Sequence, residues 1–246
     1  MRNLFVAGAH TDVGKTHVAC CLLRAARARG LAVDALKPLV SGFDPDDWTD
    51  SDPGRLLAAL DRPLTPAALE AISPWRYRAP LAPPMAARLE GASIDLAKVI
   101  DYCRDGMRAS GADLMLVEGV GGVMSPLSET ETGLDLMTEL RIPNIVVSGS
   151  YLGAISHALT AVETLRTRGM TPLAVVLSQS AETDGQTYFD THMSLVRLLP
   201  MPVIVAPRTQ DHAWADAALT ALSQRSVLVE GPTGRGEGQH AHPDQG

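Results

Sequence analysis

The run GAHTDVGKT, Gly8 to Thr16, places a lysine and a hydroxyl behind glycines, directly after the apolar stretch Leu4–Ala7. A phosphate chain needs converging backbone N–H groups, a helix N-terminus, a lysine for the outer phosphates and a hydroxyl for Mg²⁺. Gly14, Lys15 and Thr16 supply the last of these in register, with an amphipathic stretch beginning near Lys15. The usual pattern, G-x-x-x-x-G-K-[ST], is missed, because Ala9 occupies the first glycine position and Gly8 lies one residue earlier. Asp12 adds negative charge to a loop meant for phosphates, so it must point away or face a cation. Thr11 suits a loop ligand and a turn residue equally. Gly-Lys-Thr also opens helices that bind nothing; the strand before it favours the phosphate reading.

Three further residues extend this chemistry. Lys37, in LKPLVSG, is expected at the carboxyl end of a strand beside the first one, the edge where open α/β sheets bind ligands. Pro38 stiffens the turn, and Ser41-Gly42 brings a hydroxyl and open backbone near. Glu118 ends the run DLMLVEGVGG, where a carboxylate can hold Mg²⁺ directly or through water. Asp52, in TDSDP, is a second carboxylate from an overlying loop; read alone, it is a turn aspartate.

The elements that must position these groups follow a βαβ rhythm. Apolar runs recur at 4–7, 31–36, 114–117, 145–147, 173–177 and 203–205. Helical stretches are expected at 15–29, 54–60, 85–91, 96–109, 134–140, 153–168, 185–198 and 212–223. Strands without polar alternation are covered on both faces, so the expected fold is α/β, a parallel sheet between helices in one P-loop NTPase-like domain, residues 1–230. Between Gly42 and Pro84 the rhythm breaks into Asp- and Pro-rich sequence, expected as loops and short helices over one edge. Residues 231–246 lack apolar periodicity and are expected to be a disordered tail.

With 246 residues, 46% hydrophobic, the chain can bury one substantial core. Its formal net charge of −7 supplies no basic face for nucleic acid. No segment approaches about 18 apolar residues, so no membrane partner is expected. Cys20, Cys21 and Cys103 are odd in number and two are adjacent, which reads as reduced core packing and favours the cytoplasm.

Taken together, GAHTDVGKT, LKPLVSG, SDP, PLAPPMAA, LVEGVGGVMSPL and YLGAISHALTAVETL resemble the dethiobiotin synthetase family across about Asn3 to Ala206. That family uses a loop with Gly, five residues, then Gly-Lys-Thr. The resemblance implies an ATP-dependent cyclo-ligase that joins 7,8-diaminopelargonate and CO2 through a carbamate, with Mg²⁺. It implies Lys15 and Lys37 as catalytic and Thr16, Asp52 and Glu118 as metal ligands. Nucleotide binding would fall to Asp12, Val13, Gly14, Lys15, Thr16, His17, Glu118, Gln179 and Pro207, with Gln179 standing where many relatives carry Asn. Thr11, Lys37 and Ser41 would line the diamine and carbamate site. The resemblance also implies a homodimer, with the substrate carboxylate received at a partner helix starting near Leu152, Gly153 and Ala154; Ser156 stands where relatives often carry Asn. Two rival readings are a nucleotide-switch ATPase of the ParA or MinD kind and a non-catalytic domain of the same fold. The first expects a second lysine early in the loop, where this chain has Ala9 and His10; the second is opposed by Lys15, Thr16, Lys37 and Glu118 occurring together.

Overall fold

A computed structural model describes residues 2–180, 184–208 and 213–230. The proposed tail, 231–246, and the first residue of the last expected helix, His212, lie outside them. Along the chain run β1 (Asn3–Gly8), α1 (Lys15–Ala28), β2 (Val33–Leu36), β3 (Leu39–Ser41), α2 (Asp52–Ala59), α3 (Pro66–Ile72), β4 (Trp75–Tyr77), α4 (Pro83–Leu89), α5 (Leu96–Ala109), β5 (Leu114–Glu118), α6 (Gly133–Leu140), β6 (Asn144–Ser148), α7 (Ala154–Thr167), β7 (Val175–Ser178), α8 (Gly185–Leu198), β8 (Val203–Ala206) and α9 (Ala213–Glu230).

Six strands form one sheet in the order β2-β5-β1-β6-β7-β8, every pair parallel. Its central strands are continuous apolar runs because both faces are covered. Along β1, Leu4 and Val6 pack with Val18, Leu22 and Leu23 of α1 and with Leu219 of α9. Phe5 and Ala7, on the opposite face, pack with Val99 and Cys103 of α5, Leu136 of α6 and Val162 of α7. The three cysteines are buried and none forms a disulfide. Among the described residues, no helix is long and apolar enough to cross a membrane.

Two expectations change. Lys37 follows a strand that is not beside β1, because β5 is inserted between β2 and β1. The segment after Gly42 is also more regular than its composition suggested. It contains α2, α3, α4 and β4, and β4 pairs in parallel with β3 as a separate two-stranded ladder. Strands of three residues carry too little periodicity to be read from sequence. The short helices are started by side chains: Ser51 Oγ accepts from Gly54 N–H at 3.4 Å, and Thr65 Oγ1 from Ala68 N–H at 3.2 Å. Asp52 is therefore the first residue of α2.

Candidate active site

Strand register builds the charged centre. Leu36 pairs with Val117 and Val6 with Glu118, so Lys37 and Glu118 leave adjacent strands at the same height beside the phosphate loop. Lys37 Nζ lies 2.5 Å from Glu118 Oε1 and 3.0 Å from Asp52 Oδ2, and it donates to Gly119 O at 3.0 Å. Thr16 Oγ1 donates to the same Glu118 oxygen at 2.7 Å. Lys37 and Glu118 are 2% and 1% exposed, whereas the Asp52 side chain is 44% exposed.

Glu118 Oε2 is buried without a partner, and a fully buried carboxylate oxygen is costly unless something ligates it. One hydroxyl and two carboxylates suit Mg²⁺, which takes most of its remaining shell from phosphates and water.

Burial alone would push Lys37 down, but the charges of Asp52 and Glu118 and their hydrogen bonds outweigh it and hold the ammonium above its ordinary range. Burial works against Asp52 too, yet Lys37 and hydrogen bonds from Thr16 and Lys37 bring its carboxyl down to about 2. Glu118 is pushed up by burial against the pull of Lys37. These directions pull against each other only if Glu118 is taken as the sole counter-ion; Asp52, firmly ionised, keeps Lys37 charged whatever Glu118 does. Lys15, desolvated and repelled by Lys37, falls to about 8 despite Glu118, Asp52 and Asp12.

The loop explains its own irregular pattern. A Cβ on Gly8 would lie 2.7 Å from Gly121 O and 2.9 Å from Lys15 Cδ, so the glycine is required at the end of β1, where the lysine stem crosses it. Gly14 has φ 90° and sits against Ser178, where a Cβ would come within 2.5 Å of Oγ. Asp12 has φ 56°, a left-handed conformation that aspartate tolerates better than most residues, and it is exposed on the loop rim. Its place is explained by backbone shape; the residue lines both grooves beside the loop, and its charge acts on the Lys15 ammonium.

Two grooves flank this loop. A cleft of about 520 Å³ is lined by Thr11, Lys15, Lys37, Ser41 and Asp52, among others; Ser41 Oγ is buried without a partner. On the other side, a groove of about 560 Å³ runs past Asp12, Val13, Leu152, Asp184 and Arg208. Gln179 is bonded to Arg208 of this groove but does not line it: its N–H donates to Ala206 O, and its Oε1 accepts from Arg208 N–H. Pro207 is half-buried between β8 and Arg208. His17 lies on α1, its ring 3.9 Å from Cys21 Sγ. Leu152, Gly153 and Ala154 are at the start of α7, which no side chain caps; Gly153 has φ 94° and Leu152 is fully exposed. Sequence reasoning missed Gly119, whose carbonyl helps hold Lys37, and Arg208. A cation directly after Pro207 at a strand exit was the available signal for the second.

A family model described as an AAA domain matches residues 2–206. A protein of Phenylobacterium zucineum (strain HLK1), named ATP-dependent dethiobiotin synthetase BioD, is 51% identical over 229 residues, covering 93% of this chain and 98% of that one. One of the same name from Caulobacter vibrioides (strain NA1000 / CB15N) is 51% identical, covering 90% and 99%. The chain belongs to the dethiobiotin synthetase family. It thereby joins a family of ATP-dependent ligases of biotin biosynthesis. Among solved structures, the MinD cell division protein of Aquifex aeolicus is similar at TM-score 0.52 and 12% identity, covering 94% of this chain and 98% of that one. At that identity the likeness shows the P-loop fold alone, so it lends nothing to the nucleotide-switch reading.

Proposed function

We propose that the chain forms dethiobiotin from 7,8-diaminopelargonate, CO2 and ATP, through a carbamate and a carbamic-phosphoric anhydride. The observation that carries this is the convergence of Lys37, Thr16, Asp52 and Glu118 beside Lys15 at one end of a cleft. One amine adds to CO2 and loses a proton, giving the carbamate. A carbamate oxygen attacks the γ-phosphorus as ADP leaves; the second amine then attacks the carbonyl carbon, a proton is lost and phosphate departs. The first transfer brings two anions together, and two lysines in a water-poor site offset their repulsion.

Lys15 would hold the outer phosphates and Lys37 the carbamate, with Thr11 and the unpartnered Ser41 hydroxyl lining the diamine. Mg²⁺, held by Thr16, Asp52 and Glu118, would neutralise phosphate charge. All three N–H bonds of Lys37 are engaged, so contact with the carbamate requires one exchange; the exposed Asp52 is the partner able to yield.

A homodimer is part of this proposal. Within one chain, Leu152 borders the second groove and is absent from the Lys37 cleft. A second copy could bring the uncapped start of α7 to the substrate carboxylate, where free N–H groups and the helix dipole favour an anion. Exposed Leu152 and Met124, with an open groove along Leu134 and Leu159, offer apolar surface for such contact. The cytoplasm is the proposed location.

The test is phosphate release with diaminopelargonate, bicarbonate, Mg²⁺ and ATP. Release is expected only when the diamine is present, with dethiobiotin formed in equal amount. Hydrolysis of ATP at the same rate without diamine would sink the ligase reading.

A further inference from the structure

Behind the glycine loop that follows β5 lies a narrow cavity of about 20 Å³, more than the roughly 10–15 Å³ that one water needs. Most of its lining is apolar: Phe5 and Ala7 of β1, Leu39, Leu127, and Leu136 and Met137 of α6. Val120 and Gly121 line both this cavity and the Lys37 cleft, so they form the wall between the two. Pro38 and Gly119 line it as well, which sets it beside the carbonyl that takes Lys37 Nζ.

Water has little to bond there. A buried water is typically held by about three hydrogen bonds, and most polar groups around this cavity are already engaged. Gly8 O accepts from Val123 N–H at 2.9 Å, Gly119 N–H donates to Val6 O at 3.1 Å, and Gly119 O accepts from Lys37. Gly122 N–H donates to Ser125 Oγ at 2.7 Å, its O accepts from Ser125 N–H at 3.0 Å, and Gly133 N–H donates to Ser125 O at 2.9 Å. Glu118 belongs to the lining, but its Oε1 is held by Thr16 and Lys37 and its Oε2 is fully buried. Space of this size that offers water few partners is dry, and dry apolar space favours a small molecule with no net dipole and no proton to donate. CO2, a short linear molecule, answers that description.

We propose that this cavity is a CO2 site, a dry chamber from which the gas passes to the amine in the Lys37 cleft past Val120 and Gly121. The inference rests on the ligase reading given above and locates the smallest substrate of that reaction. The amine lone pair attacks the CO2 carbon, a C–N bond forms, one C=O π pair moves onto oxygen, and a proton leaves the nitrogen for water. The carbamate then stands beside Lys37. Bicarbonate is refused by the same space, because a hydrated anion loses too much on entering an apolar cavity.

The first measurement is a crystal of the full chain held under CO2 pressure. Linear density between Leu136 and Gly121 is expected; an empty cavity, or an ordered water that CO2 does not displace, overturns the proposal. The second measurement fills the cavity. Leu136→Phe, or Val123→Ile as a milder addition should the first not fold, is expected to raise KM for dissolved CO2 by at least about five-fold, while kcat and the KM values for ATP and diamine stay within about two-fold. A merely structural disturbance would move all of these together. An unchanged KM for CO2 would mean binding at crystal concentration only, with the carbamate made in solution before the diamine binds. Either result overturns the proposal. The crystal needs no turnover, so gas in the cavity of a protein that makes no dethiobiotin would sink the ligase reading while the gas site stands.

Discussion

The two flanks of the phosphate loop are built differently. On the β5–β2 flank, Lys37 and Glu118 are buried and bonded at 2.5 Å, with Thr16 and Asp52 tied to the same centre. On the β7–β8 flank, Gln179 is half-buried, Arg208 is exposed, and the guanidinium and peptide N–H of Arg208 donate to neutral carbonyl groups of Gln179. The difference teaches where a site buries charge. Electrostatic interactions strengthen as water is excluded, so side chains that must offset new charge in a reaction are packed deep. Groups that bury no charge can stay near water, where each bond contributes little and substitution is tolerated.

The most severe way to break that division is Lys37→Ala. Turnover should fall by about 10²- to 10³-fold or more, because the offset to two meeting anions is removed. Nucleotide affinity should stay within about three-fold, since Lys15 and the loop amides remain. Glu118 loses its buried counter-ion, so denaturant unfolding should show a loss of about 3 kcal/mol. Titration calorimetry with an ATP analogue decides the case. If affinity drops in step with turnover, Lys37 binds the nucleotide and the two flanks do not divide the work.

A smaller effect comes from Lys15, where the flanks meet. Its ammonium titrates near 8 in the free protein, against an ordinary 10.5. Between those values the unfolded chain holds a proton that the native state has released, so native stability rises with pH across the window; below 8 the cost of burying the cation is fully present. Nucleotide phosphates, whose second ionisation lies at about 6, are fully charged there and favour the protonated lysine. Binding should take up a proton near pH 8.5, and affinity should weaken above pH 8 by up to about ten-fold per pH unit. Calorimetry in buffers of different ionisation heat measures this uptake; pH-independent affinity from 7 to 9.5, with no proton uptake, would place Lys15 away from the phosphates.

The two flanks were also unequally legible in the sequence. All six strands of the main sheet announced themselves as apolar runs, the inner ones because burial on both faces removes polar alternation. Lys15, Thr16, Lys37 and Glu118 followed from their places at strand exits and a helix start. The adjacency of Lys37 to Glu118 did not, since it depends on β5 inserting between β2 and β1, a long-range pairing with no local mark. Asp52 looked like a turn residue because its helix is only eight residues long and its partner is distant in sequence. Gln179 was noticed as a longer amide, yet its orientation is set by the backbone of Arg208, which composition and periodicity do not encode.

The gentlest probe is Arg208→Ala. Its peptide N–H, which holds Gln179 Oε1, survives the change, while the Nε bond to Gln179 O and the cation beside Gly14 are lost. A charged hydrogen bond at an exposed position contributes about 1 kcal/mol or less, so KM for ATP should rise by no more than about five-fold. Turnover at saturating ATP should be unchanged if, as proposed, the chemistry is confined to the Lys37 flank. A fall in kcat would mean that the base flank aligns the γ-phosphate as well, and recognition and chemistry would then share one set of residues.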